Sequence, residues 1–111
     1  MEKFIAIYKD TPESAARFAQ ATPEQKMEGM KAWMSWKAKN EKHIVDFGAP
    51  LLPGTQASED KNWSVSTSSI SGYSILQGEN IEEVKAIFND HPHLAAQNGS
   101  EVEIRPFMSM Q

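Results

Sequence analysis

Residues 3–9 read KFIAIYK, and the fold is decided there. Phe4, Ile5, Ala6, Ile7 and Tyr8 are apolar without alternation, and their β-branched and aromatic content marks a strand rather than a helix. A strand of that kind is buried on both faces. It therefore needs a helical layer on one side and a second apolar layer on the other.

Downstream, Asp10-Thr11-Pro12-Glu13 offers an N-cap and then proline at the first helical position, which predicts a short helix over Ser14–Ala19. Thr22-Pro23-Glu24-Gln25 repeats the signal with a glutamine at N3, the capping-box arrangement that satisfies two orphan backbone donors. A helical pattern then runs to Phe47, where Gly48 suits a left-handed C-cap and Pro50 forbids continuation. Met27, Met30, Met34 and Ala38 form one stripe on it, and Trp33, Trp36, Asn40, Ile44 and Phe47 form another. Two stripes imply two partners or a bend. At about 1.5 Å per residue such a helix is roughly 37 Å long, so its second half is expected to overhang a sheet of ordinary strands.

Residues 49–62, APLLPGTQASEDKN, read as a long surface loop. Trp63–Ser68 and Gly72–Leu76 alternate around a turn and predict an antiparallel hairpin. Asn80 caps a helix whose face is Ile81, Val84, Ile87 and Phe88 and which ends before Pro92. Glu101–Met108 alternates again as the last strand, with Pro106 suiting an edge. The order is βαββαβ, the split pattern of a ferredoxin-like α+β domain with its helices on one face of an antiparallel sheet. Ile75, Val102 and Ile104 are assigned to the helix side, and Leu76 and Phe107 to the other. That other face is apolar, and packing it on the sheet of a second copy removes the exposed patch. The expectation is a homodimer.

Composition narrows the function classes. With 111 residues the chain suits a single domain, residues 1–111, around one core. The absence of cysteine excludes disulfides, thiolate metal ligands and thiol nucleophiles. Fifteen acidic against eleven basic residues give a net charge of −4, with the lysines scattered, so nucleic acid is not an expected partner. The opening MEKFIAIYKD has too short an apolar run for a signal peptide or a membrane span, and the expected location is cytoplasmic without membrane contact.

The blocks VDFGAPLLPG (45–54), SGYSIL (71–76), ENIEEVKAIFNDHPHL (79–94) and EVEIRPF (101–107), in this order and spacing, resemble the YCII-related proteins. The resemblance covers nearly the whole chain and implies a dimeric α+β barrel, two ferredoxin-like sheets face to face. In some members an acid/base site is proposed, with a histidine in the first turns of the long helix and an aspartate in the loop beyond. Here those turns read PEQKMEGM (23–30), with no histidine, so those roles are not carried over. The subgroup with an Asp-Gly-Pro-Phe motif before the hairpin is not matched either, because residues 64–72 read SVSTSSISG.

The remaining candidates come from the residues themselves. On the predicted long helix, His43 and Asp46 lie within one turn and can form an acid/base pair, with Asn40 and the aromatic Trp33 and Trp36 on the same flank as a ligand wall. The plainer reading makes them a solvated flank beside a packed tryptophan. Tyr8 and Arg105 are placed in the barrel interior as ligand contacts, although Arg105 also suits a cross-strand ion pair with Glu103. His91 and His93 flank Pro92 and can point the same way; they are weak metal candidates for want of a third ligand, and no metal or cofactor is expected. Two functions remain open: a small-molecule binder, with acid/base activity, whose pocket lies near the long helix and the dimer seam, or a non-catalytic interaction or regulatory module.

Overall fold

The computed structural model describes residues 1–95 and 99–109. Strand β1 (Glu2–Lys9) leads into helices α1 (Pro12–Gln20) and α2 (Pro23–Lys39). Both helices start as their sequences dictate. The Thr22 hydroxyl accepts from the Gln25 N–H at 3.1 Å while the Gln25 side chain accepts from the Thr22 N–H at 2.9 Å, and Thr11 and Ser14 form the same reciprocal box. Helix α2 ends at Asn40, whose N–H is shared between the Trp36 and Lys37 carbonyls, and not at Phe47. A 3-10 turn (Glu41–His43) follows, and then the β-branched Ile44 and Val45 open a short strand, β2 (Ile44–Asp46).

The chain next forms an arm of two short strands, β3 (Thr55–Ala57) and β4 (Trp63–Val65), which pair only with each other. Strand β5 (Ile70–Gly78), helix α3 (Ile81–Ala86), the single turn α4 (Pro92–Ala95) and strand β6 (Glu101–Pro106) complete the order. The main sheet runs β2-β5-β1-β6, with every neighbouring pair antiparallel. This is the ferredoxin-like order, with β2 in the second-strand position. The expected hairpin of Trp63–Ser68 with Gly72–Leu76 does not form, because the earlier segment is occupied in the arm and β5 pairs with β1 and β2.

Register sorts the two faces. Phe4, Ala6 and Tyr8 on β1 share a face with Ser74 and Leu76 on β5, and all five are buried against the helices. Val102 and Ile104 pack on the same core. Leu76 is thus a helix-side residue and Ile75 lies on the other face, the reverse of the sequence assignment; a strand's period of two turns a one-residue error into a change of face. The other face carries Ile5, Ile7, Tyr73 and Ile75, with no helix over it among the described residues, and Lys9 of β1 beside Glu103 and Arg105 of β6.

The half of α2 that meets the sheet is the second, through Trp33 and Trp36, while residues 23–32 are all exposed. The expected overhang is therefore at the other end of the helix. Gly48 has φ +80°, and a Cβ there would meet the Tyr73 carbonyl oxygen at 1.8 Å, so the glycine belongs to the exit from β2 and its close approach to β5 rather than to a helix cap. With arm and helix ends projecting, the radius of gyration is 15.5 Å, against about 13 Å for a compact domain of this size.

Candidate functional site: a histidine in an aromatic box

The buried chemistry lies where α2 and the α3–α4 corner close on the end of β1. After α3 the chain descends through tight turns, with Phe88 N–H on the Lys85 carbonyl and His91 N–H on the Phe88 carbonyl. Pro92 then starts α4, where a missing N–H costs nothing. His91 stands at the cap of that turn, and its Nδ1 accepts the His93 backbone N–H at 3.0 Å. This bond turns the imidazole inward. The ring lies at shallow angles to Tyr8 (5.3 Å, 24°) and Phe88 (5.2 Å, 29°), which are themselves neighbours at 6.4 Å, and meets Trp33 and Trp36 edge to face, each at 4.4 Å. Trp36 is pinned, its indole N–H donating to the Ile87 carbonyl at 2.7 Å.

Hydrogen bonding fixes the protons. Because His91 Nδ1 is an acceptor, the neutral ring carries its proton on Nε2, and that N–H is buried with no hydrogen-bond partner among the described residues. His91 is only 1% exposed. Burial pushes its pKa from 6.5 down to about 3; nearby His93 adds to the shift and Asp90 opposes it. The ring is therefore an uncharged donor. Ser74 donates to the Phe47 carbonyl at 2.6 Å, so its oxygen accepts the Tyr8 O–H at 2.9 Å. Burial raises the Tyr8 phenol to about 12, with the Ser74 bond opposing, so Tyr8 is a wall and not a proton source near neutrality. His93 Nε2 lies 3.0 Å from the Lys9 carbonyl and 2.9 Å from the Glu101 carbonyl; both are acceptors, so that nitrogen too bears a proton and ties α4 to β1 and β6.

The residues singled out from the sequence are divided among three places. Tyr8, Trp33 and Trp36 come together in the box, with Phe47 at 6.2 Å from Trp33. Asn40 is buried beneath them but spends its amide on the Trp36 carbonyl at 2.9 Å as a helix terminator. Arg105 lies on the open sheet face, strongly exposed, beside Glu103 at 3.5 Å, and Glu103 makes its short bond across to Lys9 at 2.6 Å. The helical spacing that would pair His43 with Asp46 is absent, since the helix ends before either. His43 Nδ1 donates to the Gln77 carbonyl at 3.1 Å, with Glu83 at 3.6 Å, whereas Asp46 accepts from the Gly48 N–H at 2.9 Å and the Tyr73 hydroxyl at 3.5 Å. The two side chains point to different partners.

His91 and His93 do share a corner, with ring centroids 6.5 Å apart, but one nitrogen of each is committed to backbone. Among the described residues, no three His, Cys, Asp or Glu side chains are grouped to hold a metal ion. Phe88 and Ser74 complete the walls; the helical face that includes Ile81 and Val84 already signals Phe88 in the sequence.

Two open recesses border the box. One of about 510 Å³ is lined by Phe88, Ile81, Leu94, Val102 and Ile104, and the other, of about 520 Å³, by Trp36, Ser35, Lys39, Asp90 and Pro92. Lys39 and Asp90 pair across the rim of the second, and the ammonium holds the Asp90 carboxyl below its usual pKa. No helix among the described residues is long and apolar enough to cross a membrane.

No protein family's model matches the chain, and no curated protein does, so the likeness to YCII-related proteins remains a resemblance. A solved structure does match in fold. The 5-chloro-2-hydroxyhydroquinone dehydrochlorinase of Burkholderia phenoliruptrix AC1100, in complex with 2,5-dihydroxybenzoquinone, aligns over 91% of this chain and 90% of its own, with a TM-score of 0.54 and 20% identity. The match supports the α+β architecture over nearly its full length.

Proposed function

We propose that the protein is a cytoplasmic homodimer that binds a small flat organic molecule in the aromatic box between α2 and the sheet. One observation carries the reading: the His91 Nε2–H is a buried donor without a hydrogen-bond partner among the described residues, in a wall of four aromatic rings. A group left so costs on the order of 1–3 kcal/mol, and folded proteins keep such groups where they have a use. Flat ligands suit walls of this kind, in which a few polar groups fix orientation among aromatic faces. The fold neighbour's bound ligand is a flat quinone, which supports the same class here. His43 and Asp46 are set aside as the catalytic pair because they diverge, and acid/base activity would have to be sought at the box.

The open sheet face supports the dimer. Ile5, Ile7, Tyr73 and Ile75 form a half-buried apolar patch without a helix over it among the described residues, and the face of a second copy covers it most simply. The alternative reading, an interaction module, draws on other exposed apolar groups: Met27, Met30 and Met34 on α2, and Leu52, Trp63 and Val65 on the arm.

Calorimetric melts with and without duroquinone, an uncharged flat quinone with no free ring position, test the ligand reading. A rise in Tm that grows with ligand concentration is expected. An unchanged Tm at the solubility limit, for the protein and for Trp33→Ala alike, would remove it. Light scattering should give about twice the 12.4 kDa chain mass.

A further inference from the structure

Trp33 differs from the other walls of the box. Tyr8, Trp36, Phe88 and His91 are buried, whereas Trp33 reaches solvent. Tyr8 is held by Ser74, Trp36 by the Ile87 carbonyl and His91 by the His93 N–H, whereas among the described residues no hydrogen bond holds the Trp33 indole. It lies at 4.4 Å and 89° against the imidazole and at 4.9 Å and 76° against Tyr8. Surrounding aromatic rings give a buried N–H donor only a weak substitute for an oxygen acceptor.

Resting on the ligand reading above, we infer that Trp33 is a displaceable cover of the box, and that the buried His91 Nε2–H within it selects a flat ring bearing an uncharged carbonyl oxygen. The size follows from what is displaced: a bicyclic ring of indole dimensions fills the space Trp33 leaves between Tyr8, Phe47 and His91. The polarity follows from the donor. A neutral imidazole supplies one N–H and no charge, and a bare anion brought among these rings would lose more hydration than that bond returns. A carbonyl loses little hydration and satisfies the orphan donor. A hydrocarbon of the same shape gains the ring contacts but leaves the donor as it was.

Indanone and indane have the same bicyclic frame with and without the carbonyl, and they separate these statements. Calorimetric titrations would be run on the parent protein, on Trp33→Ala and on His91→Phe. Indanone should bind the parent at least about fivefold tighter than indane, the range of one hydrogen bond. Trp33→Ala should bind both more tightly than the parent, because the cost of opening is gone, and should keep the preference. His91→Phe should bind the two alike. Should that variant fail to fold, the imidazole Nε2–H resonance of the parent supplies the readout, moving with indanone and not with indane. Equal affinities for the two in Trp33→Ala would overturn the role of His91 while leaving the box as a binding site. Equal affinities of the parent and Trp33→Ala for indanone would overturn the cover. Binding of neither compound to either protein, both folded, would instead remove the ligand reading on which this inference stands.

Discussion

Acid should loosen this protein above the pH at which carboxylates protonate, and His91 should be the reason. The folded chain holds the ring neutral, with a pKa of about 3, whereas the unfolded chain protonates it near 6.5. Between these values protons enter only the unfolded state, so stability is complete above pH 6.5 and falls as pH drops toward 3. The slope is about 1.4 kcal/mol per pH unit for one such group, which gives a loss of about 2 kcal/mol on going from pH 7 to pH 5. That is a large share of the 5–15 kcal/mol or so typical of a domain.

The acidic groups act lower. The carboxyls of Asp60, Asp90 and Glu103 have folded pKa values below their ordinary ones, so their contributions stay intact above that range and fade only beneath it. Urea unfolding at one fixed protein concentration, at pH 7.0, 6.0 and 5.0, followed by tryptophan fluorescence, measures the loss. His91→Phe keeps a flat ring in the stack and cannot titrate. Subtracting its profile removes what the two proteins share and should isolate a difference of about 2 kcal/mol at pH 5. A parent and variant with parallel profiles would refute the reasoning, since His91 would then be free to protonate in the folded state.

Three further outcomes test the packing. Trp36→Ala removes a tryptophan that is 3% exposed and anchored to Ile87, and should cost about 3–5 kcal/mol by urea unfolding, while Trp33→Ala, partly exposed and unanchored, should cost clearly less. Gly48→Ala forces a side chain against the Tyr73 carbonyl at positive φ and should lower the Tm by ten degrees or more, on the order of 2 kcal/mol for a domain of this size; an unchanged Tm would mean that β2 does not approach β5 this closely. Ile75→Glu puts a charge at the centre of the open sheet face and should turn a dimer of about twice the chain mass into a monomer in light scattering; a variant that stays dimeric would place the contact elsewhere.

Much of the architecture was legible because local chemistry and global fold agree. Thr11, Thr22 and Asn80 cap helices where their neighbours said they would, and β1 and β6 are strands at the expected places. The misread parts share a physical cause, which is tertiary choice between locally similar options. Residues 40–47 carry apolar groups at helical spacing, but Asn40 closes the helix and Ile44 and Val45 find a free edge of β5. Once β2 takes that edge, Trp63–Val65 has no place in the main sheet and pairs with Thr55–Ala57. Leu76 and Ile75 are both good strand residues, and only register, set by the pairing of Phe4 with Leu76, decides which one meets the helices.

The site was half legible for similar reasons. Tyr8, Trp33 and Trp36 announce themselves as aromatic surface, and they do meet. The role of His91 was hidden, because a histidine before proline reads as a helix stop or a metal ligand. Only the turns of 85–91 show that its ring enters the core. The pairing of His43 with Asp46 depended wholly on a continuous helix and lost its basis with it.

The central claim is that the box around His91 accepts a flat ligand, and a crystal structure of the protein soaked with duroquinone tests it most directly. The expected complex has the quinone ring against Trp36 and Tyr8, one carbonyl oxygen about 3 Å from His91 Nε2, and the Trp33 indole swung outward. A quinone bound only on the open sheet face or the arm, with Trp33 still closed over His91, would contradict it.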